Sequence, residues 1–180
     1  MSLVNDYATE GFPHGENFYT TFFALALIKA RGSMPDSLDR LPIWWKEQSE
    51  PDGNLGGLLK GTQFSVDVLQ EFGGCGIPDL RLAGGNVLVL IETKKKGKLE
   101  PSQWEAIDWL EKRRENIKAY LLVAPGGYGE AGFHPGLLSK FYQKGRANIG
   151  VPKDGFRVGY SPLGMVVNWA ADVLGVTKER

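Results

Sequence analysis

The first long run without a helix breaker, Glu16 to Ala30, carries apolar residues on most faces and ends at Arg31-Gly32, which predicts a helix inside the fold. Residues 33–62 lose this periodicity: Pro35, Pro42 and Pro51 and several glycines surround a short patch, Ile43 to Gln48, that holds Trp44 and Trp45. The stretch reads as an irregular insertion with room for one short helix. Its tryptophan pair is either a core plug, the commoner use, or a base-stacking platform. Three strands should follow. Phe64 to Phe72 alternates apolar and polar residues, while Ile77–Leu82 and Asn86–Thr93 flank Ala83-Gly84-Gly85, a tight hairpin turn. The run at 87–91 is apolar on both faces, as in a central strand. A second helix is expected from Pro101-Ser102 to about Glu115, with Ser102 and Glu105 at capping-box spacing and Trp104, Ile107 and Leu110 at helical spacing. Ala119–Ala124 reads as another buried strand, closed by Pro125-Gly126-Gly127. Weaker patterns predict a helix over 137–143, a strand over 156–160 and a helix over 162–174. The core order α-β-β-β-α-β predicts a mixed α/β domain, single, with an insertion at 33–62 and an unassigned extension from about residue 125.

Composition narrows this. With 180 residues, 42% hydrophobic and 23% charged, the chain suits one soluble domain and is neither disordered nor fibrous. Its 21 basic and 21 acidic residues are unevenly spread. Up to Thr93 there are 6 Lys and Arg against 12 Asp and Glu, a net of −6; from Lys94 onward there are 15 against 9, a net of +6. That asymmetry points to a polyanion met by one face and excludes a wholly basic nucleic-acid coat. Cys75 is alone, which excludes an internal disulfide or a cysteine zinc cluster and suits a reducing cytoplasm. His14 and His134 are too few for a histidine-rich metal site. The start carries Asp6, Glu10 and Glu16 without a Lys or Arg, the wrong charge for a signal peptide. Phe22–Ile28 falls far short of the roughly 20 residues of a membrane span. A cytoplasmic protein with no membrane partner is expected.

Candidate chemistry concentrates in residues 76–104. Asp79 lies on the first arm of the hairpin, Glu92 and Lys94 at the end of the second. Residues two apart on a strand share a face, so Glu92 and Lys94 project together. A turn at Gly84-Gly85 would set residue 79 opposite residue 90, one diagonal step from Glu92. Two carboxylates and an ammonium then converge at the end of an apolar sheet, where charge is costly unless paired or metal-bound. Hard oxygen donors of this kind favour Mg²⁺ or Mn²⁺.

Pro78-Asp79, twelve residues, then Glu92-Thr93-Lys94 resembles the motif of the PD-(D/E)xK nuclease superfamily, which includes restriction endonucleases, Holliday junction resolvases and repair nucleases. Gly76-Ile77-Pro78-Asp79-Leu80 is similar to its G-[IV]-P-D-[LF] form, and Gly97, Leu99 and Gln103 fall where the related E-x-K…G-x-L-(S)-x-x-Q helix start has them. The pattern is most similar to the VRR-NUC and phage-type branch and to Holliday-junction-resolvase-like members; it departs in having Glu100-Pro101-Ser102 where a Ser-Pro pair is commoner.

This resemblance implies a restriction-endonuclease-like core and a Mg²⁺- or Mn²⁺-dependent nuclease acting on nucleic acid, DNA before RNA. It implies that Asp79, Glu92 and the Thr93 backbone carbonyl bind the metal and that Lys94 contacts the attacking water or the scissile phosphate. Gln103 would orient water or phosphate, and Glu16 would complete the site through metal-bound water or a second metal. Read without the resemblance, Glu16 is also an acid in a first helical turn, where it favours the helix dipole. Lys95, Lys96 and Lys98 are either a solvated turn or phosphate contacts. Lys112, Arg113 and Arg114 suit a helix C-terminus for dipole reasons. A homodimer would fit the cutting of both strands by twofold-related sites. The competing class is a non-catalytic domain that keeps the fold and binds nucleic acid or a partner. A small-molecule α/β domain would call for a G-x-G-x-x-G or P-loop pattern, and the chain has neither.

Overall fold

The computed structural model describes residues 15–45, 50–68, 78–94, 101–125 and 156–176. The helix expected over 137–143 lies outside them.

Helix α1 (Glu16–Ser33) buries one line of side chains, Thr20, Phe23, Leu27 and Ala30, spaced three and four apart as a helical face requires. Its opposite face corrects the expectation of a fully internal helix: Phe18, Leu25 and Ile28 are 47%, 52% and 42% exposed. After the insertion come β3 (Ser65–Val68), β4 (Leu80–Ala83), β5 (Val87–Thr93), α3 (Pro101–Glu111), β6 (Ile117–Ala124), β7 (Phe156–Pro162) and α4 (Leu163–Leu174). The five strands form one mixed sheet in the order β3-β4-β5-β6-β7. β3–β4 and β4–β5 pair antiparallel, β5–β6 and β6–β7 parallel. Every residue of β5 is buried, as its doubly apolar run requires of a central strand.

Alternation along the strands sorts the core into two layers. Leu80, Leu82, Val89, Ile91, Leu121 and Val123 pack with Phe23 and Leu27 of α1 and Val166 and Trp169 of α4. Leu88, Leu90, Tyr120 and Leu122 pack with Ala106, Ile107 and Leu110 of α3. The architecture is therefore α/β/α, with the C-terminal β7–α4 unit part of the main sheet and the main core. On the first face Phe23 and Trp169 meet edge to face at 5.8 Å, and Trp169 Nε1 donates to the Ser37 carbonyl at 2.7 Å.

The insertion folds as a 3₁₀ helix (Pro35–Arg40), a two-residue β1 (Pro42–Ile43), β2 (Gly53–Asn54) and one short helix, α2 (Leu55–Leu59). Trp44 exchanges backbone hydrogen bonds with Tyr160 at 2.9 Å each way, so the insertion covers the β7 edge of the sheet. Trp44 and Trp45 are 5% and 3% exposed, which makes the pair a core plug.

Helix α3 begins where expected, but its cap and its end differ. Pro101 is its first residue, where a missing N–H does no harm, so Ser102 lies inside the first turn instead of capping it. The helix stops at Glu111, not Glu115. Lys112 and Arg113 N–H donate three residues back, to the Trp109 and Leu110 carbonyls. Lys118, 4% exposed on β6, donates Nζ to the carbonyls of Glu111 at 3.1 Å and Arg113 at 2.7 Å. A buried ammonium thus caps the end of α3 from the neighbouring strand. Lys118→Met leaves those carbonyls without their donor and is expected to lower stability by about 1–3 kcal/mol, measured by urea denaturation; an unchanged midpoint would show that solvent replaces the ammonium.

Candidate functional site

The hairpin register places Asp79. Gly84 N–H donates to the Val87 carbonyl at 2.9 Å, closing the turn around Gly85-Asn86. Leu80 pairs with Ile91 at the end of β4; continued past the strand end, that register would set position 79 opposite Glu92 and, a step further, Pro78 opposite Thr93. The expected pairing of 79 with 90 is corrected. The physical reason is packing at residue 84: a Cβ there would sit 2.0 Å from the Gln63 carbonyl oxygen. Gly84 therefore stays in the ladder and the chain turns one residue later.

Pro78 then acquires a role. In an antiparallel ladder the hydrogen-bonded pairs alternate, and counting from 84–87 makes 78–93 one of them. Pro78 has no N–H to offer the Thr93 carbonyl. The Thr93 N–H donates instead to Asp79 Oδ2, at 2.6 Å. Proline thus ends the β4–β5 ladder, a carboxylate takes the amide that the ladder drops, and the Thr93 carbonyl has no donor from β4.

Glu92 projects from the same strand end toward α3. Its Oε1 accepts from Gln103 Nε2 and lies 3.1 Å from Lys94 Nζ, as the two-residue spacing predicts. Gln103 reaches it from the first turn of α3, which follows β5 on that face. On the other face, Glu16 and Thr20 stand one turn apart on the inward side of α1, so both faces of the sheet contribute polar groups to one strand end.

The electrostatics are under tension. Burial raises the Asp79 carboxyl above its ordinary range, and the Thr93 amide and the Lys94 charge only partly offset this. Burial, then the Asp79 charge, pushes Glu92 from 4.5 to about 7 despite Lys94. Lys94 is drawn down by burial but held above its ordinary value by Glu92, with Glu16 and Asp79 adding to the effect. Tyr120, fully buried on the α3 face of β6, is raised well above the usual phenol range by burial and then by Glu92 and Asp79. Two acids disfavour each other's ionisation and one ammonium cannot satisfy both.

Three hydroxyls complete the surroundings. Thr93 Oγ1, Tyr120 OH and Thr20 Oγ1 are buried without a partner in hydrogen-bonding geometry. Thr20 is still near enough to Asp79 to favour its ionised form. Thr20 and Tyr120 escaped the sequence reading. Thr20 was findable as the residue one helical turn beyond Glu16; Tyr120 carries no signal in a run as apolar as 119–124.

Of the predicted residues, Asp79, Glu92, Thr93, Lys94 and Gln103 come together at the end of β5. Glu16 acts electrostatically on Asp79, Glu92 and Lys94. Lys95, Lys96 and Lys98 lie outside the described residues. Among the described residues, no three His, Cys, Asp or Glu side chains gather into one metal-holding group, and no helix is long and apolar enough to cross a membrane. No protein-family model, curated protein or solved structure matches the chain.

Proposed function

We propose that the chain is a metal-dependent phosphodiesterase of the PD-(D/E)xK superfamily, with a restriction-endonuclease-like core and DNA as its substrate. The observation that carries this reading is the strand end itself. Asp79 and Glu92 face each other across the last step of the hairpin, and Pro78 withholds a ladder donor from the Thr93 carbonyl between them. The donors are carboxylates, a carbonyl and nearby unpartnered hydroxyls, all hard oxygens, which suits Mg²⁺ or Mn²⁺. The raised pKa values of both acids have the same sense: a cation would relieve the repulsion that burial imposes.

Asp79, Glu92 and the Thr93 carbonyl would hold the cation, with Glu16 in support from α1. Such a cation would neutralise charge at the phosphate and make a nearby water easier to deprotonate. Lys94, kept protonated by the surrounding acids, acts as a fixed positive charge and donor toward the phosphate, where negative charge develops, and not as a base. Gln103 holds Glu92 from α3 and fixes the carboxylate's orientation. Lys95, Lys96 and Lys98 continue the chain beyond Lys94 and would follow the phosphate backbone. Two such sites related by a twofold axis would cut both strands of a duplex.

A non-catalytic nucleic-acid-binding domain is the second reading. It draws on the Glu92–Lys94 ion pair and on the absence, among the described residues, of a three-acid group. Cleavage of labelled single-stranded, duplex, flap and four-way-junction DNA with Mg²⁺, Mn²⁺ or EDTA separates the two. Metal-dependent cutting is expected, reduced about 10²–10³-fold by Asp79→Ala and by Lys94→Ala. Binding without cutting in either metal would give the domain to the second reading.

A further inference from the structure

On the face of the sheet away from Glu92, at the N-terminal ends of β6 and β7, lies a pocket of about 390 Å³ lined by Trp45, Asp52, Asn54, Asn116 and Arg157 among others. Its volume is that of a small-molecule site. Arg157 stands opposite Ala119 on β7 and holds its guanidinium over the Trp45 ring, 5.5 Å from the centroid. Among the described residues it makes no ion pair and no hydrogen bond. The ring beneath it is locked. A Cβ on Gly53 would lie 2.2 Å from Trp45 Nε1 and one on Gly159 2.6 Å from its Cζ3, while the backbone N–H of Trp45 donates to Asp52 Oδ1 at 2.7 Å. The insertion and β7 thus preorganise a stacked arginine whose fork of five donors is left for something outside the fold.

We propose that this pocket binds a phosphate ester through Arg157, independently of any cation. The lining is rich in donors. Asn54 Oδ1 already accepts from Gly57 N–H at 2.6 Å, which leaves its NH₂ group to donate, and the exposed Asn116 adds a second amide. The one acid, Asp52, is engaged with Trp45. A planar guanidinium fork matches a phosphate bidentately, and the space beyond a bare oxyanion accommodates the sugar attached to it. That phosphate belongs either to a free nucleotide or to a nucleic-acid strand crossing the face opposite Glu92.

The test is calorimetric titration of the whole chain in EDTA with inorganic phosphate, deoxyadenosine monophosphate and single-stranded dodecathymidylate. Thermal melting of each variant verifies folding. Arg157→Met keeps the stem on Trp45 and is expected to weaken binding about tenfold or more. Arg157→Lys keeps the charge without the fork and should weaken it less. Asp52→Asn keeps an acceptor for the Trp45 amide and removes a like charge, so binding should tighten about threefold. Saturation by the mononucleotide identifies a free nucleotide as the source, and binding of the oligonucleotide alone identifies a strand. The proposal is overturned if no probe binds up to about 10 mM, or if folded Arg157→Met binds as the wild type does. Because no metal is present, such a failure leaves the reading of the Asp79–Glu92 site untouched.

Discussion

Replacing Glu92 by glutamine is expected to abolish metal-dependent cleavage, by about 10³-fold or more, and at the same time to stabilise the metal-free protein. The two effects share one cause. Burial, with Asp79 alongside, pushes the Glu92 carboxyl from 4.5 to about 7. Below pH 4.5 it is protonated in both the folded and the unfolded chain and has no effect on their balance. Between 4.5 and 7 the unfolded chain releases the proton while the folded chain retains it, so stability falls as pH rises. Above 7 both are ionised and the loss is complete, about 3 kcal/mol. Glutamine stays neutral, still accepts from Gln103, and removes the pH-dependent loss. Urea denaturation in EDTA should therefore show Glu92→Gln more stable than wild type at pH 8 and little different at pH 4.5. Adding Mg²⁺ at pH 8 should stabilise the wild type and leave the variant unmoved. Equal stabilities of the two proteins at pH 8 would mean that Glu92 is not strained, and the case for a cation there would weaken with it.

That strain has a structural origin. A strand buried on both faces is a poor place for a carboxylate, yet β5 carries one next to its end because Glu92-Thr93 follow the apolar run without a turn between them and Lys94 comes directly after. Lys94 at 3.1 Å and Gln103 stabilise the carboxylate from one side; the Asp79 charge opposes them from the other. A single ion pair on a surface hairpin would have lowered the Glu92 pKa, and here it is raised.

Much of this strand end was legible beforehand because it depends on local rules. The period-2 spacing of Glu92 and Lys94, the doubly apolar β5 and the presence of a hairpin each follow from a few neighbouring residues, and each is present. The turn came one residue later than expected, shifting the pairing by two, because it depends on Gln63, a residue 21 positions before Gly84 whose carbonyl packs on it. The early end of α3 was hidden for the same reason, since its cap, Lys118, lies on the next strand. The tryptophan pair could be ranked as a plug from its residue type. What it plugs, an edge strand more than a hundred residues away, required the paired backbone of Trp44 and Tyr160. Lys95, Lys96 and Lys98 lie outside the described residues, so their contribution rests on the sequence alone.

The opposite balance, lost stability with intact chemistry, is expected from Gly159→Val. Gly159 lies on β7, against the insertion. A Cβ there would meet Trp45 at 2.6 and 2.7 Å and Ile43 Cγ2 at 2.8 Å, well inside contact distance. The indole cannot retreat, because Gly53 packs against its other edge closely enough that a Cβ there would also collide. Nor can the backbone part freely, since Trp44 and Tyr160 exchange hydrogen bonds one residue away on each strand. Overpacking alone costs about 1–3 kcal/mol, and valine adds two methyl groups beyond the Cβ. A loss of at least about 3 kcal/mol is expected, a fall in melting temperature of roughly 6–12 °C for a chain of this size. Gly159→Ala should fall in between. The Asp79–Glu92 strand end is built on β4, β5, α1 and α3, none of which touches Trp45 through residue 159. At a temperature where the variant is still folded its metal-dependent cleavage should match the wild type, while phosphate binding through Arg157 is lost with the displaced ring. A variant that melts normally would show that the insertion is not clamped to β7. One that folds at low temperature yet cannot cut would show that the two ends of the sheet are coupled.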